Sequence, residues 1–391
     1  SRTAVLLVNL GTPAAPNAGA VRRFLRQFLS DPRVVEIPRL VWWPILYGVV
    51  LPLRPGRTAA KYAAIWSDQG SPLMAHSRQQ ALMLRGYLGE RGLDIEVALA
   101  MRYGEPSIAS ALAELRQRNV NQLLVLPMFP QYSATTTASV FDAVNGYLKT
   151  IRNVPELRWV KHFHDHTGYI EALRQSVLDH WTRFGPLGKA GKLVISFHGV
   201  PKRTLHLGDP YHCECQKTGR MLADSLGLSD GDYVVTFQSR FGRGEWLQPD
   251  TAPTLRKLVA DGCARVDVIC PGFVTDCLET LEEIAIEGKN EFLSAGGKQF
   301  HYIACLNEAP AFIAALANLV QQQVQGWSIP STIKSDAAAR DAQAQKSRER
   351  ARLLGAILRI AHRQQHVAQR GRLRLDRGGG GRSQRDRRRP G

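Results

Sequence analysis

Apolar residues occur along the chain in short runs of strand length. Segments with helical periodicity, such as 106–118 and 253–260, lie between these runs. The alternation predicts parallel sheets covered by helices on both faces. The runs are VLLVNL at 5–10, VALAM at 97–101, LLVLPMF at 123–129, KLVISF at 192–197, YVVTFQ at 233–238, VDVICPGF at 266–273 and HYIACL at 301–306.

Three short motifs occur twice, in the same order, and each follows an apolar run. They are GTP at 11–13 and GVP at 199–201, RYG at 102–104 and RFG at 240–242, and PMF at 127–129 and PGF at 271–273. The first copy is longer by about 50 residues, which fall between its first two motifs. We therefore predict an α/β protein of two related Rossmann-like domains, each a doubly wound parallel sheet. Ligands of such sheets bind beyond the strand ends, so a cleft between the domains is the expected site.

The predicted domains have approximate boundaries. The first covers 1–127, with an insertion at about 30–73, and the second covers 128–304. A segment at 305–327 is expected to pack back on both. Residues 328–391 are predicted to be a disordered basic tail, because the composition is too polar to bury a core. Residues 331–391 carry 17 Lys and Arg against 5 Asp and Glu, so most of the net charge of +17 comes from the tail. No nucleic-acid partner is expected.

The insertion contains the most apolar segment of the chain, LVWWPILYGVVLPL at 40–53. It is shorter than the roughly 20 residues that a membrane-spanning helix needs. Pro44 and Pro52 predict irregular backbone rather than a buried helix. We expect an exposed apolar lip that contacts a flat ligand or a membrane surface. The side chains expected to be presented are those of Trp42, Trp43, Ile45, Leu46 and Tyr47.

The six cysteines are few for a chain of 391 residues and indicate reduced thiols in a cytosolic protein. No secretory signal sequence is recognised at the start of the chain, so a cytoplasmic location is expected. This expectation allows a peripheral position on the inner face of the membrane. His206, His212, Cys213 and Cys215 form a local group, but Cys-x-Cys is not the usual zinc spacing. We interpret this group as a loop over the pocket.

Candidate chemistry lies at two strand ends in the second half. His198 follows a strand and precedes a turn, and an imidazole can accept protons near neutral pH. Glu279, Glu283 and Glu287 follow another strand at a spacing that predicts one helix face, with no Lys or Arg between them. Two interpretations of this acidic row remain open: a solvated face, or a path for a divalent cation.

The chain resembles bacterial ferrochelatases, which insert ferrous iron into a porphyrin, from about residue 4 to 327. The segments that carry the resemblance are VNLGTP at 8–13, Tyr62 with GSP at 70–72, MRYG at 101–104, PMFPQYSATTTAS at 127–139, HGVP at 198–201, TFQSRFG at 236–242, WLQPDT at 246–251 and PGFVTDCLETLEEI at 271–284. Most are weak alone, but together and in this order they make a specific match.

The resemblance implies roles for named residues. His198 would accept the pyrrole protons, Glu279 would lie across the same site, and Glu283 and Glu287 would continue a metal path. Some relatives carry His at position 277, where this chain has Cys. Arginines suit the propionates of the substrate. The residues implied to line or hold the porphyrin are Arg54, Tyr62, Ser71, Arg102, Tyr103, Tyr132, Ser133 and Trp246.

The implied activity is insertion of Fe²⁺ into protoporphyrin IX to form protohaem, the last step of haem biosynthesis. Fe²⁺ would be a substrate, with no permanently bound cofactor. No iron–sulfur cluster is expected, because no cysteine follows Cys305. The alternatives are a chelatase for another porphyrin or metal, such as coproporphyrin or cobalt, and a non-catalytic porphyrin carrier. A dinucleotide-binding oxidoreductase is disfavoured, because neither half has the glycine-rich turn that it requires.

Overall fold

In the described part of the chain, eight strands form two parallel sheets of four strands each. The central strands are buried along most of their length and carry Val, Leu, Ile and Phe at their centres, as expected where helices cover both faces of a parallel sheet. The strands are β1 Arg2–Gly11, β2 Ile95–Tyr103, β3 Val120–Pro127, β4 Glu156–Trp159, β5 Gly191–His198, β6 Tyr233–Gln238, β7 Arg265–Ile269 and β8 Gln299–Ile303.

The two sheets have the same topology. Their strand orders are β2-β1-β3-β4 and β6-β5-β7-β8. Equivalent glycines sit at the ends of the central strands: a Cβ on Gly11 would lie 1.8 Å from the carbonyl oxygen of Tyr103, and one on Gly199 would lie 2.8 Å from that of Gln238. In both halves the close approach of the neighbouring strand excludes any side chain. The predicted fold class, two related doubly wound sheets, is confirmed.

Thirteen α-helices lie in the described part of the chain between the strands and after β8. They are α1 Ala18–Leu29, α2 Arg39–Ile45, α3 Leu51–Ile65, α4 Pro72–Glu90, α5 Ile108–Gln117, α6 Ser139–Leu148, α7 Thr167–Phe184, α8 Lys202–His206, α9 Tyr211–Ser225, α10 Thr251–Ala260, α11 Leu278–Leu281, α12 Lys289–Ser294 and α13 Pro310–Gln323. Three π-helical turns, at Leu46–Val50, Ala134–Ala138 and Glu283–Gly288, join or precede them.

The two halves share one large hydrophobic core. It contains Val5 and Leu7 of β1, Leu193 and Ile195 of β5, and buried residues of α7 and α13. Helix α13 packs against α4 of the first half and α7. The halves are therefore joined by apolar packing as well as by the chain.

The structure is a computed structural model that describes residues 2–242, 244–327, 329, 342–343, 345–347 and 349–350. Residues 1–330 form one compact unit and residues 331–391 a second. The first sheet continues to Trp159, so the boundary that we predicted at residue 127 falls before its last strand. The disorder predicted for 328–391 lies almost wholly outside the described residues.

The lip, residues 40–53, is helical, whereas the sequence analysis predicted irregular backbone. It consists of α2, the π-helical turn at Leu46–Val50 and the start of α3. Pro52 lies in the first turn of α3, directly after the π-helical turn. Pro44 lies near the end of α2, directly before the wider turn. The prolines are accommodated at helix junctions, which sequence spacing alone did not reveal.

The exposure predicted for the lip is largely correct, with one exception. Leu46 is fully buried, packed with Val21, Leu25 and Tyr62. Trp42 is half-buried, and its indole N–H donates to the carbonyl oxygen of Leu29 at 2.7 Å. The exposed apolar side chains are Leu40, Val41, Trp43, Ile45, Tyr47, Val49 and Leu53. None of the described helices is long and apolar enough to cross a membrane.

Candidate active site

His198 is the last residue of β5 and is half-buried at the sheet edge. Its Nδ1 lies 2.6 Å from the carbonyl oxygen of Gly199, which can only accept a hydrogen bond. Nδ1 therefore carries the proton of the neutral ring, and Nε2 keeps its lone pair. The Tyr211 hydroxyl donates to the carbonyl oxygen of His198 at 2.9 Å and fixes the backbone. The local structure thus prepares one nitrogen of His198 as a proton acceptor.

The acidic row does not lie on one regular helix face, as the sequence spacing had predicted. Helix α11 ends at Leu281, and a π-helical turn runs from Glu283 to Gly288. The backbone N–H of Glu287 donates to the carbonyl oxygen of Glu282, five residues earlier, at 2.9 Å. The extra residue in this turn rotates Glu287 relative to Glu279 and brings Glu282 into the acidic group.

Glu283 is held by Ser239, the residue after β6. The Ser239 N–H donates to one carboxylate oxygen at 2.6 Å and its hydroxyl to the other at 2.5 Å. Ser239 has φ +64°, in the left-handed region that a serine rarely adopts, and this conformation aims both donors at Glu283. Burial raises the pKa of Glu283, while the Ser239 hydrogen bonds and the nearby His198 oppose the rise.

Gln238, the last residue of β6, connects His198 to the acidic group. It pairs with His198 in the parallel register of β5 and β6. Its side-chain amide donates to the carbonyl oxygen of Glu279 at 2.7 Å and accepts from the Ser196 hydroxyl at 2.8 Å. The sequence analysis missed this residue, although it lies in the TFQSRFG segment.

A lysine from the first half neutralises part of the acidic group. The Nζ of Lys61, on α3, lies 2.9 Å from a carboxylate oxygen of Glu282 and 2.7 Å from one of Glu287. Burial raises the pKa of Glu282, although Lys61 favours its ionised form. The sequence has no Lys or Arg between residues 279 and 287, and the fold supplies a lysine from the first half instead.

Tyr62 and Ser71 lie together on the first half's side of the cleft. Thr12 donates to the Ser71 hydroxyl at 2.8 Å and hydrogen-bonds to the Tyr62 hydroxyl. Burial raises the pKa of Tyr62 well above its usual value, and the nearby Glu279 adds to the rise. These two predicted porphyrin residues are therefore brought to the same place as Glu279.

Arg102 and Tyr103 are engaged within the protein. Arg102 Nη2 lies 2.5 Å from the carboxylate of Asp31, which also accepts from the Tyr103 hydroxyl at 2.8 Å and from Ser139 at 2.6 Å. Burial opposes ionisation of Asp31, but hydrogen bonds from Ser139, the backbone of Arg33 and Tyr103 lower its pKa. Tyr103 is only 1% exposed. This network fastens the start of the insertion to β2, and Asp31 was not anticipated.

The remaining predicted porphyrin residues lie around the cleft. The guanidinium of Arg54, which is exposed, lies 4.9 Å from the ring centroid of Phe241, so α3 and the second half meet there, directly after the lip. Trp246 is half-buried and its ring would contact a Cβ on Gly199, next to His198. Tyr132 is half-buried beneath Lys161 Nζ, 4.9 Å from the ring centroid. Ser133 is buried and hydrogen-bonds to Asp209 at 3.3 Å.

Comparison with known proteins identifies the family to which the chain belongs. The ferrochelatase family model matches residues 2–324. The chain belongs to the ferrochelatase family. It is 58% identical to the ferrochelatase of Janthinobacterium sp. (strain Marseille) over 91% of this chain and 95% of that protein. The ferrochelatase of Herminiimonas arsenicoxydans is 59% identical, with the same coverage. The sequence prediction of a ferrochelatase, a lyase that metallates a porphyrin, is confirmed.

A solved chelatase structure shares this fold at low sequence identity. SirB from Bacillus subtilis with Fe³⁺ aligns with 83% of this chain and 96% of its own, with a TM-score of 0.50 and 11% identity. At this identity the likeness concerns the fold alone.

The cysteine–histidine group that the sequence analysis interpreted as a loop lies on helices: His206 ends α8, and His212, Cys213 and Cys215 are on α9. Cys213 is exposed and Cys215 is buried, both on α9, and all six cysteines are free. Among the described residues, the side chains that could hold a metal as a group of three are instead His162, His164 and Glu214. The sequence signal for that group was His-x-His after β4, in the stretch KHFHDH at 161–166.

Proposed function

We propose that this ferrochelatase inserts Fe²⁺ into protoporphyrin IX in the cleft beyond β5 and β6, with His198 as the acceptor of the pyrrole protons. The observation that carries the proposal is the hydrogen bond from His198 Nδ1 to Gly199. It leaves Nε2 unprotonated in the neutral ring, and His198 lies near enough to Glu283 to oppose the rise in the pKa of that carboxyl. A base so prepared can take a proton while a cation enters the ring.

The acidic residues provide the route for the metal. Glu287 is exposed and Glu283 is held by two hydrogen bonds from Ser239, so exposure decreases from Glu287 towards His198. Carboxylate oxygens bind hydrated divalent ions and exchange them. Desolvation destabilises the ionised form of a buried carboxylate and so raises its pKa. A bound cation stabilises the ionised form in place of the lost water. Glu279 then faces the ring centre from the side opposite His198.

The porphyrin is bound between the lip and the second half. Arg54, Tyr132 and Trp246 are accessible enough to contact a ring or its propionates. Tyr62 and Ser71 line the wall beside Glu279. Arg102 and Tyr103 act mainly by holding Asp31 and the start of the insertion, since their polar groups are already engaged.

The apolar lip favours protoporphyrin IX over a more carboxylated porphyrin. Its exposed side chains provide area for the ring and for peripheral contact with the inner face of a membrane. Nucleic acid is not a proposed partner, and a cytoplasmic location is proposed. The two sheets flank the proposed cleft as halves of one compact unit, with α13 packed against α4 and α7.

Anaerobic metal insertion, followed by absorbance, tests the proposed activity. Fe²⁺ and Co²⁺ are each offered with protoporphyrin IX and with coproporphyrin. The proposal predicts fastest turnover with Fe²⁺ and protoporphyrin IX. Faster turnover with coproporphyrin or Co²⁺ would assign another chelatase activity, and tight porphyrin binding without turnover would indicate a carrier.

A further inference from the structure

The stretch after β4 and the first turn of α9 bring two histidines and a glutamate together outside the cleft chemistry. One nitrogen of His162, one nitrogen of His164 and a carboxylate oxygen of Glu214 all lie within 4.8 Å of one another. We propose that these three side chains bind a divalent transition metal of the Zn²⁺ class, at a site separate from the acidic row that delivers iron.

The donor distances suit one ion. His162 Nδ1 lies 2.6 Å from one oxygen of Glu214, and His164 Nδ1 lies 3.3 Å from the other. Neighbouring ligands of an ion with bonds of about 2.0–2.2 Å are separated by roughly 3 Å. The two imidazoles are two residues apart in the chain, and their ring centroids are 4.9 Å apart.

One buried polar atom of this group, Nδ1 of His164, has no hydrogen-bond partner. His164 is 5% exposed, and its Nδ1 faces Glu214 without making a hydrogen bond. Glu214 is 6% exposed, and within the described chain its ion-pair partners are these two histidines, with no Lys or Arg. A buried carboxylate next to an unsatisfied imidazole nitrogen is costly, and a bound cation would satisfy both.

A second layer of contacts orients the three ligands. The Tyr132 backbone N–H donates to Glu214 Oε2 at 2.7 Å. His164 Nε2 lies 3.8 Å from the carboxylate of Asp165, which Lys217 holds at 2.6 Å. Metal-binding histidines commonly place a carboxylate at their other nitrogen, which fixes the tautomer and raises ligand basicity.

The ligand set selects the class of ion. Two imidazoles and one carboxylate suit Zn²⁺, Fe²⁺ or Co²⁺, whereas Mg²⁺ and Ca²⁺ prefer oxygen ligands. The His162 side chain is 38% exposed, so water can complete the coordination from the solvent side. Bound metal would tie the segment that carries His162 and His164 to α9 through Glu214, and would therefore stabilise the protein against unfolding.

Binding of Zn²⁺ to the chelator-treated full-length protein, without porphyrin, tests the site. Equilibrium dialysis measures the bound equivalents, and thermal melts measure the stabilisation. His162→Ala should lose one equivalent, or weaken it at least tenfold, and should lose most of the Zn²⁺-induced rise in Tm. His206→Ala, an exposed histidine on α8, is the matched control and should behave like the wild type.

Glu214→Gln provides a second variant that keeps an acceptor for Tyr132 and removes the charge. It should lose the same equivalent as His162→Ala, and Co²⁺ bound to the wild type should show a visible absorption band that both variants lack. The proposal is overturned if both variants bind Zn²⁺ as the wild type does, or if His206→Ala loses as much. It is equally overturned if the folded wild type gains no stability from Zn²⁺.

Discussion

Lys61 on α3 lies 2.7 Å from Glu287, Nζ to carboxylate oxygen, although 226 residues separate them in the chain. The lysine occupies the outer end of the acidic row, where entering iron would bind. Lys61→Met should therefore lower the Fe²⁺ concentration that gives the half-maximal rate severalfold, with little change in kcat. The measurement is the initial insertion rate as a function of Fe²⁺. Arg57→Met, an exposed cation on the same helix, should leave the iron dependence unchanged.

Glu287→Gln should have the opposite effect. Loss of the exposed carboxylate weakens capture of the hydrated ion but leaves His198 and Glu279 in place. The Fe²⁺ concentration required should rise severalfold, while the rate at saturating iron stays near the wild-type value. An unchanged iron dependence would remove Glu287 from the metal path.

Glu283→Gln should stabilise the protein while impairing the reaction. Because the pKa of Glu283 is raised in the folded state, its charged form is disfavoured there, and ionisation destabilises the fold as pH rises. At pH 7.5 the variant should melt about 1–3 °C above the wild type. Below about pH 4 both side chains are neutral, and the difference should vanish.

Two controls accompany this pH comparison. Glu287→Gln changes an exposed carboxylate with the same chemistry and should show no comparable gain in Tm at pH 7.5. Fe²⁺ insertion by Glu283→Gln should be strongly reduced at both low and saturating iron. A variant that is less stable than the wild type at pH 7.5 would show that the Ser239 hydrogen bonds outweigh the desolvation of the carboxylate.

The lip should contribute to porphyrin or membrane binding through its exposed face. Leu40 is 92% and Trp43 is 48% exposed, and burial of one such side chain against a ligand is worth roughly 1.5–3 kcal/mol. Leu40→Ser with Trp43→Ser should weaken protoporphyrin affinity, or co-sedimentation with vesicles, about tenfold or more, with Tm unchanged. Leu46→Ser changes a buried neighbour and should lower Tm instead. Unchanged porphyrin and vesicle binding by the double variant would exclude the lip as a binding surface.

Strand ends were predictable because parallel strands deliver their last residues to one edge, so His198 and the acidic segment could be placed together from sequence. The π-helical turn was not predictable, because Glu279, Glu283 and Glu287 have the same sequence spacing whether the backbone is α-helical or π-helical. Contacts over long separations were equally invisible: no local pattern connects Lys61 with Glu287, or Arg102 with Asp31. The burial of Leu46 follows from how the lip turns, which its composition does not determine.

The most direct test of the account is the rate of protohaem formation by His198→Ala under anaerobic conditions, with protoporphyrin affinity and Tm measured on the same sample. General-base catalysis typically contributes about 10²–10⁴-fold, so turnover should fall at least about a hundredfold. Porphyrin affinity and Tm should stay near the wild-type values, because the ring is half-buried at the sheet edge and its removal leaves the core intact. A folded variant that binds porphyrin and retains more than about a tenth of the wild-type rate would contradict the assignment of His198 as the proton acceptor.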